Sequence, residues 1–186
     1  MPSLSEAEKR TALRLARKAV VDALSCRKPS DPVMHNGIFA ERRGVFVTLH
    51  VCGRLQGCIG VVEPAEPLGV AIARCAASAA LEDLRFTPMR ADQLADLTIE
   101  LSLLSALVPI SPESIEIGRH GLLVGLHSQR GLLLPQVAME HHWTREQFLE
   151  ETCRKAGLPR EAWRDPEMRI HGFTCEVYLE GQPPEE

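Results

Sequence analysis

Hydrophobic positions switch along this chain between a helical and an extended period, and the switches mark out its elements. Leu13, Ala16, Val20 and Leu24 recur every three or four residues, which predicts a long amphipathic helix over 6–27. Ser5 and Glu8 precede it as a capping box, each side chain satisfying a backbone amide left over at the helix start. Pro29 and Pro32 end it, and 28–36 reads as a loop. From Gly44 the period drops to two. Val45, Val47, Leu49 and Val51 line one face, and Phe46, Thr48, His50 and Cys52 the other. Gly53-Arg54 predicts a tight turn, and 55–62 the returning strand. Gly57 and Gly60 lie inside that strand, where glycine marks a bulge or the close approach of another backbone.

Pro64 and Pro67 punctuate the chain before an alanine-rich helix over 68–81, and 83–88 is an irregular link. Leu97, Ile99, Leu101 and Leu103 alternate with Thr98, Glu100 and Ser102 as a further strand. Ser111-Pro112 starts a short helical turn. Apolar strands follow over 118–126 and 131–134, joined by the polar turn 127–130. Thr144 and Gln147 form a second capping box, opening a helix that Gly157 and Pro159 stop. A final strand covers 173–179, and the tail from Gly181 frays. Hairpins dominate and strand–helix–strand alternation is absent. The predicted class is α+β, an antiparallel or mixed sheet packed with helices, in a single domain over 1–186 with its ordered core at about 5–180.

Composition narrows the function. The 186 residues carry 21 Lys and Arg against 25 Asp and Glu, a net charge of −4 that argues against binding nucleic acid by phosphate neutralisation. No apolar run approaches the roughly 20 residues of a membrane span, and the polar N-terminus is not a secretory signal. Six scattered cysteines read as free thiols of a reducing, cytoplasmic compartment.

Leu55-Gln56-Gly57-Cys58-Ile59-Gly60 is the most informative segment. A thiol flanked by glycines has little steric cover, and the neighbouring amides suit an anion or a developing negative charge. Cys58 is therefore a candidate reactive or substrate-contacting thiol; a small apolar strand residue is the alternative. His50, Cys52 and Cys58 are the nearest approach to a metal set, but no C-x-x-C or H-E-x-x-H occurs, and adjacent His141 and His142 diverge by about 100° on a helix. The expectation is no metal. Phosphate-loop, dinucleotide and G-x-S-x-G motifs are also missing, so no cofactor is expected. Arg85 suits an anionic ligand or an ion pair with Asp83 or Glu100; His120 and Glu100 are candidates for moving protons. Gln136, after Pro135, is a candidate ligand or backbone contact.

The segments Gly44-Val-Phe-Val-Thr-Leu49, Leu55 to Gly60, Asp83-Leu-Arg-Phe86, Ile99-Glu-Leu-Ser102, Ile117-Gly-Arg-His-Gly121, Gly131-Leu-Leu-Leu-Pro-Gln-Val137 and Lys155-Ala-Gly-Leu-Pro159 occur in this order. Together they resemble the AMME candidate-region (AMMECR) domain family, protein A of the AmmeMemoRadiSam system. The resemblance implies a main lobe and a smaller lobe, with a cleft between them for a small-molecule ligand. It implies two protein partners, a Memo-like protein and a radical SAM enzyme. On it the chain is an accessory component of that system; the alternative is a cysteine-dependent enzyme acting through Cys58 on a small anionic substrate. The ligand-binding candidates are Gln56, Gly57, Gly60, Arg85 and Gln136; the catalytic candidates are Cys58, His120 and Glu100. Two positions depart from the family pattern. Gln56 stands where the hexapeptide usually has arginine, and Leu84 where a proline separates the aspartate from the arginine. Arg54, two residues before Gln56 and so on the same face of a regular strand, is the candidate substitute for the missing charge.

Overall fold

The structure, a computed structural model, describes residues 3–26 and 36–181. In chain order the main elements are α1 (Glu6–Leu24), β1 (Val45–Val51), β2 (Arg54–Val61), α2 (Leu68–Leu81), β3 (Leu97–Leu104) and β4 (Val108–Pro109). There follow β5 (Gly121–Leu126), β6 (Gln129–Leu133), α3 (Pro135–Glu140), α4 (Arg145–Lys155), β7 (Arg169–Phe173) and β8 (Cys175–Leu179). They form two compact units. One is built from residues up to Leu104 and from Glu176 onward, the other spans Ser105–Cys175. Each has its own four-stranded sheet, and the class is α+β with antiparallel sheets.

The first unit packs α1 and α2 on a sheet of order β2-β1-β3-β8. Both capping boxes form as predicted: at the start of α1, Glu8 Oε2 accepts from the Ser5 amide at 2.8 Å, and Thr144 caps α4 the same way. The first helix stops at Leu24, short of the predicted end, because the chain turns into a left-handed residue at Cys26. The predicted loop over 28–36, apart from Asn36, and the tail after Gly181 lie outside the described residues. The period-two face is borne out. Val45, Val47 and Leu49 are fully buried and Val51 is half-buried, against Ala12, Ala16 and Val20 of α1 and the small residues of α2. Those small residues bring α2 almost onto the sheet. A Cβ on Gly57 would lie 2.0 Å from the carbonyl oxygen of Ala79, so only glycine fits there.

The β1–β2 hairpin differs from its prediction in a way that decides where Cys58 points. The turn is Cys52-Gly53, one residue earlier than expected, with two successive left-handed residues (φ +50° and +72°) that match the twist of the strands. Next to the turn, Val51 pairs with Arg54 and His50 with Leu55. Beyond it, Leu49 pairs with Gly57 and Thr48 with Cys58, so Gln56 is an extra, bulged residue. Without the bulge, Cys58 would oppose Val47 and face the helices. With it, Gly57 faces the helices and Cys58 shares the polar face with Thr48. The bulge also breaks the regular alternation on which a shared face for Arg54 and Gln56 was expected.

The second unit has strand order β4-β7-β5-β6, with Phe148, Leu149 and Cys153 of α4 buried against Leu122 and Val124. Two predictions are corrected here, and one helix is added. The strand predicted over 118–126 starts at Gly121, because Arg119 and His120 turn back onto the Glu116 carbonyl and Gly118 is left-handed at φ +84°. The short helix α3 occupies the chain after Leu133, with Pro135 in its first turn. The final strand over 173–179 is two strands: the chain breaks at Thr174, β7 belongs to the second sheet and β8 to the first.

Candidate functional site

Strand β2 lies at the edge of its sheet, so every other backbone amide and carbonyl along it lacks a strand partner. At Cys58 that need is met by side chains. Its amide donates to Asp83 Oδ2 at 2.9 Å, and its carbonyl accepts from Arg85 Nη2 at 3.0 Å. The carboxylate and guanidinium thus present the acceptor and donor that a neighbouring strand would. They are locked to each other: Arg85 Nε and Nη2 donate to Oδ1 and Oδ2 at 2.9 and 2.7 Å, and the Arg85 amide adds a bond to Oδ1 at 3.2 Å. This planar two-point match is the strong form of a charged hydrogen bond. The Asp83 side chain is 4% exposed and that of Arg85 59%, so the anion is buried and the cation covers it.

The Arg85 guanidinium above all, with the Cys58 and Arg85 amides, holds the Asp83 carboxyl well below the usual carboxylate range, against the upward pull of burial. The same bond raises Arg85. Gln56 fastens the other end of this link: its Nε2 donates to the Thr87 carbonyl at 2.7 Å. Between the two ties Leu84, where a proline is usual, is wholly exposed, and Arg85 lies over the Phe86 ring at 5.3 Å.

The sheet face away from the helices carries the thiol. Thr48 Oγ1 donates to Cys58 Sγ at 3.3 Å. Thr48 pairs with Cys58 on one side and with Glu100 on the other, so Cys58, Thr48 and Glu100 form one cross-strand row. All three are partly exposed. The glycines around Cys58 have packing roles: Gly57 admits α2, and a Cβ on Gly60 would meet the Phe46 ring at 2.2 Å. Neither builds an open loop around the thiol.

The structure therefore gathers Gln56, Gly57, Cys58, Gly60, Arg85 and Glu100 on β2, its edge link and β3. His120 and Gln136 belong to the second unit. His120 Nδ1 accepts from the Glu116 amide at 3.0 Å, closing its own turn, and Gln136 sits in the first turn of α3. Cys52 occupies the hairpin turn, and among the described residues no three His, Cys, Asp or Glu side chains converge as metal ligands. None of the six cysteines is in a disulfide; Cys75 and Cys153 are buried, and burial pushes their thiols up. Among the described residues no helix is long and apolar enough to cross a membrane. Thr48 was not singled out by the sequence. Its signal was its place on the polar face of β1, readable only once the bulge sets the register.

The profile of the AMMECR1 family matches residues 13–178, spanning both units. A protein of Methanothermobacter thermautotrophicus is 43% identical, covering 95% of this chain and 96% of its own length. One from Aquifex aeolicus is 38% identical over 94% of this chain and 93% of the relative. The crystal structure of an uncharacterized protein from Pyrococcus horikoshii superposes with a TM-score of 0.87 at 35% identity, covering 97% of this chain and 95% of that one.

Proposed function

The chain belongs to the AMMECR1 family, and from that premise we propose that it serves in the cytoplasm as an accessory component alongside a Memo-like protein and a radical SAM enzyme. One observation carries the reading. The charged groups nearest Cys58, Asp83 and Arg85, are committed to each other and to the Cys58 backbone. They complete a sheet edge. A carboxylate held in that way has no free lone pair directed at the thiol and is poorly placed to act as its base. The hexapeptide and the Asp83–Arg85 link then read as one structural device that holds a shaped surface. The work of such a protein is to bind or present, while its partners supply the chemistry.

A second reading rests on the Cys58–Thr48–Glu100 row. A partly exposed thiol beside a hydroxyl, with a carboxylate one strand further on, is the start of a nucleophile arrangement on a small anionic substrate. One experiment separates the two. A host strain deleted for this chain is complemented with wild type or with Cys58→Ala, and the tagged proteins are used to recover the host's Memo-like and radical SAM proteins. The accessory reading expects Cys58→Ala to restore growth and metabolite levels and to retain both partners, with stability lower by about 1 kcal/mol for the lost packing. A folded Cys58→Ala protein that behaves like the deletion would overturn it in favour of thiol chemistry. Recovery of neither partner would overturn the association.

A further inference from the structure

Asparagine occurs once among the 186 residues, at Asn36, and a glycine follows it. Asn36 is the N-cap of a single 3-10 turn over Gly37–Ala40, with extended backbone at φ −126° and ψ 158°. An asparagine in that position ordinarily turns its side-chain oxygen onto an amide of the turn. Here it makes no capping hydrogen bond. The first amide of a helical turn has no partner inside the turn, and among the described residues the Gly37 amide donates to no acceptor. Both residues are exposed. Gly37 is left-handed at φ +54°, and a Cβ there would meet nothing within 4 Å. Immediately beyond the pair the chain is anchored. Ile38 and Phe39 are buried in the core of the first unit, and the Glu41 carbonyl accepts from the Leu68 amide, at the start of α2, at 2.7 Å.

We propose that Asn36-Gly37 is a site of spontaneous covalent modification in the folded protein, where the asparagine is converted through a cyclic imide to aspartate and isoaspartate. The Gly37 N–H gives its proton to water or hydroxide, its nitrogen bonds to Asn36 Cγ, and the Cγ–Nδ2 bond breaks, so that the side-chain nitrogen leaves as ammonia with a proton returned to it. The ring so closed has five members. It then takes up one water. Opening at Cγ leaves aspartate, and opening at the Asn36 backbone carbonyl carbon leaves isoaspartate, whose chain runs on through Cβ and Cγ. The sum is amide plus water to carboxylic acid plus ammonia, with no electron transferred. Glycine is what the closure needs at position 37, because a Cβ there would crowd the attacking nitrogen. The two products differ in how they fit. Aspartate is a favoured N-cap and keeps the turn; isoaspartate inserts one extra backbone carbon just before the buried Ile38 and Phe39.

The test incubates the full chain at neutral and at mildly alkaline pH beside a synthetic peptide of the same local sequence, and follows the mass of the fragment that carries position 36. The amide of Asn36 should be lost faster in alkali, at a rate within about tenfold of the peptide's, because no fold contact must open first. Aged protein should accept a labelled methyl group from S-adenosylmethionine in the presence of an isoaspartyl methyltransferase. Gly37→Ala should slow the conversion at least roughly tenfold. Asn36→Gln, whose ring would need six members, should show neither conversion nor label, and as an exposed change it carries the test if circular dichroism shows Gly37→Ala unfolded. An amide that persists in the folded chain while the peptide converts, an undiminished rate in folded Gly37→Ala, or conversion without methyl label would overturn the site.

Discussion

Replacing Asp83 by asparagine probes the capped edge with almost no change in shape. In the native protein the carboxylate accepts four hydrogen bonds, two on each oxygen: Oδ1 from the Arg85 amide and Nε, Oδ2 from the Cys58 amide and Arg85 Nη2. Asparagine keeps one oxygen, so in either orientation two donors face an NH2 group instead of an acceptor. Bonds to a charged group are each worth about 1.5–3 kcal/mol when buried. The share owed to Arg85, more than half exposed, falls to about 0–1 kcal/mol after solvent screening. The expected loss is about 2–3 kcal/mol, most of it felt at the β2 edge. Hydrogen exchange reads it directly: the Cys58 amide should exchange roughly 30- to 150-fold faster in Asp83→Asn at neutral pH. The pH dependence has a fixed sign. The folded-state pKa of Asp83 lies below its unfolded value, so its contribution is complete above the ordinary carboxylate range and is lost as pH falls toward the folded value. The gap between wild type and Asp83→Asn should therefore narrow steadily below about pH 4. Exchange at Cys58 within about threefold of wild type, or a gap that widens in acid, would refute the edge-capping account.

Two further substitutions test neighbouring features. Gly57→Ala forces a methyl to within 2.0 Å of the Ala79 carbonyl and should cost about 3 kcal/mol or more, lowering the melting temperature by at least roughly 6 °C; Gly125→Ala, whose methyl would make only ordinary contacts at 3.7 Å and beyond, should stay within about 2 °C, and equal losses at the two sites would sink the close-approach argument. Gln56→Arg restores the family's usual residue, but position 56 is bulged and bonded to Thr87. Alkylation of Cys58 should change less than about twofold, and a larger acceleration would mean that the new guanidinium reaches the thiol.

How much of this was legible in the sequence depends on whether the signal was local. Capping boxes, the buried face of β1 and the whole of α2 follow from neighbours in sequence, and they hold. The orientation of Cys58 does not. It depends on the parity of the β1–β2 pairing, which the turn at Cys52-Gly53 sets and the bulge at Gln56 reverses. A period-two pattern with glycine at two positions cannot fix that parity. Asp83 and Arg85 were readable as an ion pair; that they serve an open edge needed the strand order. The break at Thr174 was hidden because the residues on both sides alternate in the same way, while the two halves join different sheets.

That break also sets a schedule for biosynthesis. In the first sheet β8 lies beside β3, and its Tyr178 belongs to the core, yet the whole of Ser105–Cys175 lies between the two strands in sequence. The inserted unit is gathered at its ends, where the Ser105 amide donates to the Thr174 carbonyl and the Thr174 amide to the Ser105 hydroxyl, both at 2.9 Å. On the ribosome, at about 5–20 residues per second, the first unit waits roughly 4–14 s after β3 emerges before its fourth strand is made. Through that interval the nascent chain carries three strands with the outer side of β3 open, and an N-terminal fragment released at Leu104 would carry that vacancy permanently.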